Sequence, residues 1–135
     1  MLKLKFLGKI SAFGLLVMRI GLGLSFIMHG SAKVFAGPEM WKTLGAAIGY
    51  WGIHIYPAAW GFMAGFAEFA GGILFILGFL FRPAALLMLI TMAVATTMHI
   101  RTGDDFLKYS HALEMAIVFF GLLFVGPGKL SLDGE

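Results

Sequence analysis

The stretch that decides the fold is Ala58-Ala-Trp-Gly-Phe-Met-Ala-Gly-Phe-Ala-Glu68-Phe-Ala-Gly-Gly-Ile-Leu-Phe-Ile-Leu-Gly-Phe-Leu-Phe81, followed by Arg82-Pro83 and a second apolar run that closes on Met98-His99-Ile100. Each run is near the roughly 20 residues needed to cross about 30 Å of hydrocarbon. Glu68 is the one charge inside the first. Arg82-Pro83 leaves almost no length for a loop, and proline suits the first position of a new helix. Two spans therefore follow one another directly, about 58–81 and 83–100. Working outward, a third apolar run covers about 10–35 and is broken only by Arg19 before His29. A fourth begins near Lys108 to His111, about residue 109, and stops at Gly126-Pro127-Gly128, a strong helix terminator. The reading is an all-α membrane protein, a single domain over 1–135 built as a four-transmembrane-helix bundle.

Composition agrees. The hydrophobic fraction is 60% and the charged fraction 13%, against about 45–50% and about 25% for soluble domains. The lipid bilayer must be the solvent for most of this surface. The chain has no cysteine, which excludes disulfides, thiolate zinc sites, cysteine-ligated clusters and covalent haem. It brings no redox group of its own, although a partner could supply one. A net charge of +3 reflects lysine and arginine at helix ends and is no evidence for nucleic acid. A cleaved signal peptide does not fit the first run, because Arg19 interrupts it and it is too long.

Lys3, Lys5, Lys9, Arg82 and Lys129 mark one side of the membrane, and Lys33, Lys42, Arg101 and Lys108, diluted by Glu39, Asp104 and Asp105, the other. The lysines before the first span place both termini in the cytoplasm by the positive-inside rule. The segment 36–57 and the turn 102–109 then lie outside. Trp41, Trp51, Trp60, Tyr50, Tyr56 and Tyr109 all fall on that outer side. Met40, Trp41, Leu44, Ala47, Ile48 and Trp51 have helix-like spacing, so the segment between the first two spans reads as an interfacial amphipathic helix. Simple anchoring explains it; the sharper reading is a lid over a site, with Trp51, Tyr56 and Trp60 as its aromatics.

The two halves of the chain resemble each other. Leu15-Leu16, Ile20 and Met28-His29 match Leu86-Leu87, Ile90 and Met98-His99, and Glu68-Phe-Ala matches Glu114-Met-Ala. This suggests a parallel repeat of two helical hairpins, an arrangement that places sites at the repeat interface. At about 1.5 Å per residue, both glutamates come out roughly 18–20 Å from the inner surface, Arg19 near 12 Å, and His29 and His99 near 24–27 Å. The expectation is one band of Arg19, His29, Glu68, His99 and Glu114, with Lys33 and His111 at its mouth. Arg19 cannot shed its charge and is expected to need a carboxylate partner. A second glutamate is then left over, protonated or paired with histidine. The glycines Gly14, Gly21, Gly23, Gly61, Gly65, Gly71 and Gly72 read as packing surfaces.

The opening helix Arg19-Ile-Gly-Leu-Gly-Leu-Ser-Phe-Ile-Met-His29-Gly30 with Lys33, the second-helix Gly65-Phe-Ala-Glu68-Phe-Ala-Gly71-Gly72, His99, Glu114 and the closing Gly126-Pro-Gly-Lys-Leu-Ser-Leu-Asp133 together resemble the DoxX family over essentially the whole chain. The resemblance implies a four-helix bacterial or archaeal inner-membrane protein. It also implies an association with membrane redox enzymes, such as thiosulfate:quinone oxidoreductase and quinol oxidase complexes, or with oxidative or quinone stress.

On these grounds the leading expectation is a membrane subunit of a quinone-linked redox system, working with a membrane or peripheral oxidoreductase. It would bind a quinone between an apolar slot, an aromatic face and a His or Arg donor beside a titratable Glu. One rival is a non-catalytic carrier or binder of a small lipophile or metabolite. Another is a scaffold or assembly factor for a partner enzyme. A metal at His111, Glu114 and His99 is a further alternative, less favoured than interfacial histidines. The glycine faces are compatible with a homodimer.

Overall fold

Glycine and proline set the helix ends. The computed structural model describes residues 4–134. A short turn of helix, α1 (Lys5–Gly8), precedes the first span, α2 (Ser11–Val34); α3 (Pro38–Gly45) and a 3-10 segment, η1 (Ala46–Trp51), follow; then come α4 (Pro57–Leu77), α5 (Phe81–Arg101) and α6 (Phe106–Val125). Four of these, α2, α4, α5 and α6, are long and apolar enough to cross a membrane, and no strand occurs among the described residues. Lys3, one of the orienting lysines, lies outside them.

The join between α4 and α5 differs from the sequence reading. The second span stops at Leu77, because Gly78 adopts a left-handed backbone (φ 61°). There the Gly78 N–H donates to Phe75 O at 3.1 Å and the Phe79 N–H to Leu74 O at 3.1 Å, a glycine-terminated helix end. Phe81 therefore opens α5 and Pro83 sits inside its first turn, where a missing N–H breaks no helix bond.

The helices pair as two hairpins, α2 with α4 and α5 with α6. Glycines let α2 and α4 touch backbone to backbone. A Cβ at Gly23 would lie 2.6 Å from Gly72 O, one at Gly72 2.6 Å from Gly23 O, and one at Gly30 2.7 Å from Gly65 O. Gly71 instead accommodates Met88 of α5. Gly14 and Gly21, expected to pack, face open space. Where the hairpins meet, Phe75 lies 4.5 Å from Phe81 and 5.4 Å from Phe119, and Phe26 lies 5.1 Å from Phe119, centre to centre. All four spans thus contribute to one aromatic core, while large apolar side chains such as Phe13, Met28, Phe66 and Phe124 face outward. Lipid is the solvent that accepts such a surface.

At one end, called here the tail end, residues 126–134 fold back beneath the bundle. Leu132 N donates to Leu77 O at 3.1 Å and Asp133 N to Gly78 O at 2.9 Å. The Asp133 carboxylate accepts from Leu80 N at 3.1 Å and Phe81 N at 2.9 Å, so it caps α5 from the far end of the chain. Arg19, only 1% exposed, is held at this end as well. Its Nε donates to Phe75 O at 2.9 Å and Nη2 to Ile76 O at 2.7 Å; Nη1 donates to Pro127 O at 3.1 Å and Leu130 O at 2.7 Å. The expected Arg19–glutamate pair is not formed. The last carbonyls of a helix lack intrahelical donors and carry its negative pole, so they meet a cation's needs without a carboxylate.

Replacing Arg19 with Met is expected to lower stability by about 3 kcal/mol, since four carbonyls lose a charged donor at once. Arg19→Lys should rescue little, because one ammonium has three donors and no fork. Asp133→Ala should cost about 1 kcal/mol, a capping loss. Thermal unfolding in detergent measures all three. Near-equal melting of Arg19→Met and wild type would remove the proposed clamp.

Candidate functional site

On α4 the positions Gly61, Gly65, Glu68, Gly72 and Phe75 recur at helical spacing and are buried. Glu68 therefore points along the glycine stripe toward α2, and is 1% exposed. Its carboxylate receives the Lys33 ammonium on both oxygens, at 2.7 and 2.8 Å. Lys33 is the penultimate residue of α2, at the end opposite the tail, and is partly exposed.

A roof of α3 and η1 covers this end. Trp41 Nε1 donates to the Lys33 carbonyl at 2.9 Å, and its ring meets Phe62 edge-on at 5.0 Å. Gly45 lies against the Pro57 backbone and Gly61 against that of Trp41, with no room for a Cβ at either. On the other side, Trp51 Nε1 donates to Thr97 Oγ1 of α5 at 3.1 Å. The roof is thus fastened to α2, α4 and α5.

Beneath it, between α4 and α5, lies a cleft of about 290 Å³. Trp60, Met63, Ala64 and Ala67 form one wall and Leu87, Ile90, Thr91, Val94, Ala95 and Met98 the other; Leu44, Gly45, Ala47 and Ile48 close the top, and Lys33 and Glu68 supply its charge. Met63, Leu87 and Ile90 are also exposed on the outside of the bundle, so the cleft opens sideways toward lipid. A second hollow of about 530 Å³ lies on the roof's other side, beside Thr43, Tyr50, His54 and Thr102. Leu44, Ala47 and Met98 line both, and so form the partition between them.

The structure divides the expected band among several places. Lys33 and Glu68 meet in the cleft and Trp60 lines it; Trp51 fastens the roof, while Tyr56 is 75% exposed and does not flank the cleft. Arg19 is at the tail end. His29 and His111 face one another across α2 and α6, ring centres 5.8 Å apart, away from the cleft lining. His99 Nδ1 lies 2.7 Å from Asp104 Oδ2, which brackets the α5–α6 turn together with Lys108 Nζ on Asp104 Oδ1 at 3.1 Å. Hydrogen bonds from His99, and then from Lys108, hold the Asp104 carboxyl below the usual carboxylate range. Glu114 is exposed on α6. Among the described residues no group of three His, Asp or Glu is placed to hold a metal ion. Sequence reasoning missed Trp41, Asp104 and Asp133 as positioning residues. Trp41 carried a signal, since an indole N–H at a membrane interface seeks an acceptor.

Fold and site together define a multi-pass membrane protein with a laterally open apolar cleft and one ion pair in its wall. The chain belongs to the DoxX family, whose model matches residues 14–100, from α2 to near the end of α5. It is 30% identical over 135 residues to an uncharacterized protein of Haemophilus influenzae, covering 96% of this chain and 95% of that one. No solved structure matches it.

Lys33→Met strands a buried carboxylate and should cost about 3 kcal/mol. The double variant with Glu68→Gln should lose less than the sum of the single variants, with a coupling on the order of 1–3 kcal/mol. Additive losses in thermal melts would mean that the pair is not coupled.

Proposed function

We propose that the cleft binds a small neutral lipophile of the quinone class, and that the chain acts as the membrane subunit of a quinone-linked redox system whose electrons pass through a partner oxidoreductase. The observation that carries this reading is the Lys33–Glu68 pair in the wall of an otherwise apolar cleft. The cleft volume is near the lower limit of ligand pockets, about 300–1,000 Å³, and suits a ring. A hydrocarbon tail would leave sideways past Met63, Leu87 and Ile90 into lipid.

Charge selects the head. An ammonium has three N–H donors, and Glu68 takes two of those of Lys33. The third is free to donate to a carbonyl oxygen. Because the pair is already neutral, a carboxylate or phosphate head would bring an unbalanced charge into a low-dielectric slot; a ketone or quinone would not. Reduction of a quinone takes two electrons and two protons. Lys33 would stabilise the negative charge that develops on the oxygen, and Glu68 would hold Lys33 in position. In a bacterial or archaeal inner membrane with cytoplasmic termini, this chemistry would face the outer half of the bilayer.

The thin partition of Leu44, Ala47 and Met98 favours a second reading, a carrier that passes a small lipophile between cleft and outer hollow without redox chemistry. The test is titration of the purified protein with a short-tailed benzoquinone or naphthoquinone, alongside Lys33→Met and Glu68→Gln. Wild type should bind, and each variant should bind about tenfold more weakly, the worth of one charge-assisted hydrogen bond. Absence of quinone binding by wild type would remove the first reading. Flux of the lipophile across proteoliposomes lacking any redox partner would establish the second.

A further inference from the structure

Glu114 poses a problem that the cleft does not answer. It is the ninth residue of α6, so about 12 Å of helix separates it from the roof-end start of the span. It is exposed, opposite the buried Ala112, Ala116 and Phe119, and it makes no hydrogen bond or ion pair among the described residues. A carboxylate facing hydrocarbon at this depth is expensive, and its side chain is too short to snorkel to water.

We infer that this face of α6 is covered by α6 of a second copy of the chain, with Glu114 of each copy accepting a hydrogen bond from His111 of the other. Two observations support that occupant over a foreign helix. The first is spacing. Leu107, His111, Glu114, Val118, Gly121 and Val125 alternate by four and three residues, the seam of a parallel coiled pair. Of these, Leu107 is 82% exposed and Val125 61%, and at Gly121 an added Cβ would meet nothing within 4 Å, which leaves room for a close helix. Val118 and His111 form the edge of this face, Val118 half-buried against the chain's own core and His111 beside His29. The second is self-complementarity. Copies related by a twofold axis along the membrane normal place their α6 helices parallel and at equal depth. The hole that receives Glu114 is then walled by His111 one turn nearer the roof, whose imidazole N–H is the donor that the carboxylate lacks. Polar side chains join transmembrane helices in this way. The inference is independent of what the cleft binds.

Because the native chain has no cysteine, single cysteines report the seam directly. Under mild oxidation in lipid, Leu107→Cys should form a disulfide-linked dimer, and Leu86→Cys, exposed on α5, should not. In the Leu107→Cys background, Glu114→Leu should raise the dimer dissociation constant about tenfold with the melting temperature of the monomer unchanged. If Glu114→Leu does not fold, His111→Leu carries the same expectation. Light scattering of the wild type should give the mass of two chains. A single-chain mass without a Leu107→Cys disulfide, equal linkage at Leu86→Cys, dimerisation indifferent to both substitutions, or stoichiometric linkage of Leu107→Cys to a different protein would each overturn the assignment.

Discussion

A guanidinium inside hydrocarbon cannot lose its proton and must satisfy its donors, and the way Arg19 does this organises the rest of the bundle. It uses carbonyls alone: two from the end of α4, Phe75 and Ile76, and two from the tail, Pro127 and Leu130. The helix end leaves Ile76 O without its usual donor, while Phe75 O accepts from Arg19 beside the Gly78 N–H, and the left-handed turn at Gly78 fixes where that end falls. One side chain of α2 thereby fastens α4 and the tail, and the tail in turn carries Asp133 to the start of α5. The consequence reaches the opposite end of the molecule. The carboxylate near the guanidinium is that of Asp133, and Glu68 is left to Lys33.

At the roof end the same physical demand is met differently. Lys33 and Glu68 neutralise each other, and the pair would collapse onto packed apolar side chains if α4 and α5 closed over it. They do not close, because α3 and η1 prop that end. Glycine contacts bind α3 to α4 on one side, and the Trp51–Thr97 hydrogen bond fixes η1 to α5 on the other. What remains is a slot with a polar anchor and a side opening. On the proposed reading, a bound lipophile would gain affinity from apolar area, and the ion pair would discriminate among head groups.

Much of this was legible in the sequence, and the failures have definite causes. Four apolar runs, an amphipathic outer segment and an acidic residue on a glycine-rich face are patterns of side chains, and all were found. Arg19 was assigned to the glutamates because backbone carbonyls have no letter in a sequence; a cation capped by a helix end looks the same as one awaiting an acid. The second span was extended to Phe81, four residues beyond Leu77, which raised the height reckoned for Glu68 by about 6 Å, away from that of Arg19. Trp60 lines the cleft, whereas Tyr56 is the left-handed residue before α4 and turns away from it.

The two glutamates show why a shared local sequence conveys shape more readily than role. Glu68 and Glu114 stand in similar local sequence, Glu-Phe-Ala and Glu-Met-Ala, on the second helix of each hairpin. Yet α4 is central, with α2, α3 and α5 packed around it, while α6 packs mainly on α5. A helix with neighbours on several sides has an interior for its acidic face. A peripheral helix has one buried stripe, and Ala112, Ala116, Phe119 and Leu122 already fill it. The same local pattern, rotated against a different number of neighbours, therefore yields an internal anchor in one hairpin and an outward-facing carboxylate in the other. A second copy of the chain, as inferred for α6, would give the outward one the partner that hydrocarbon does not offer.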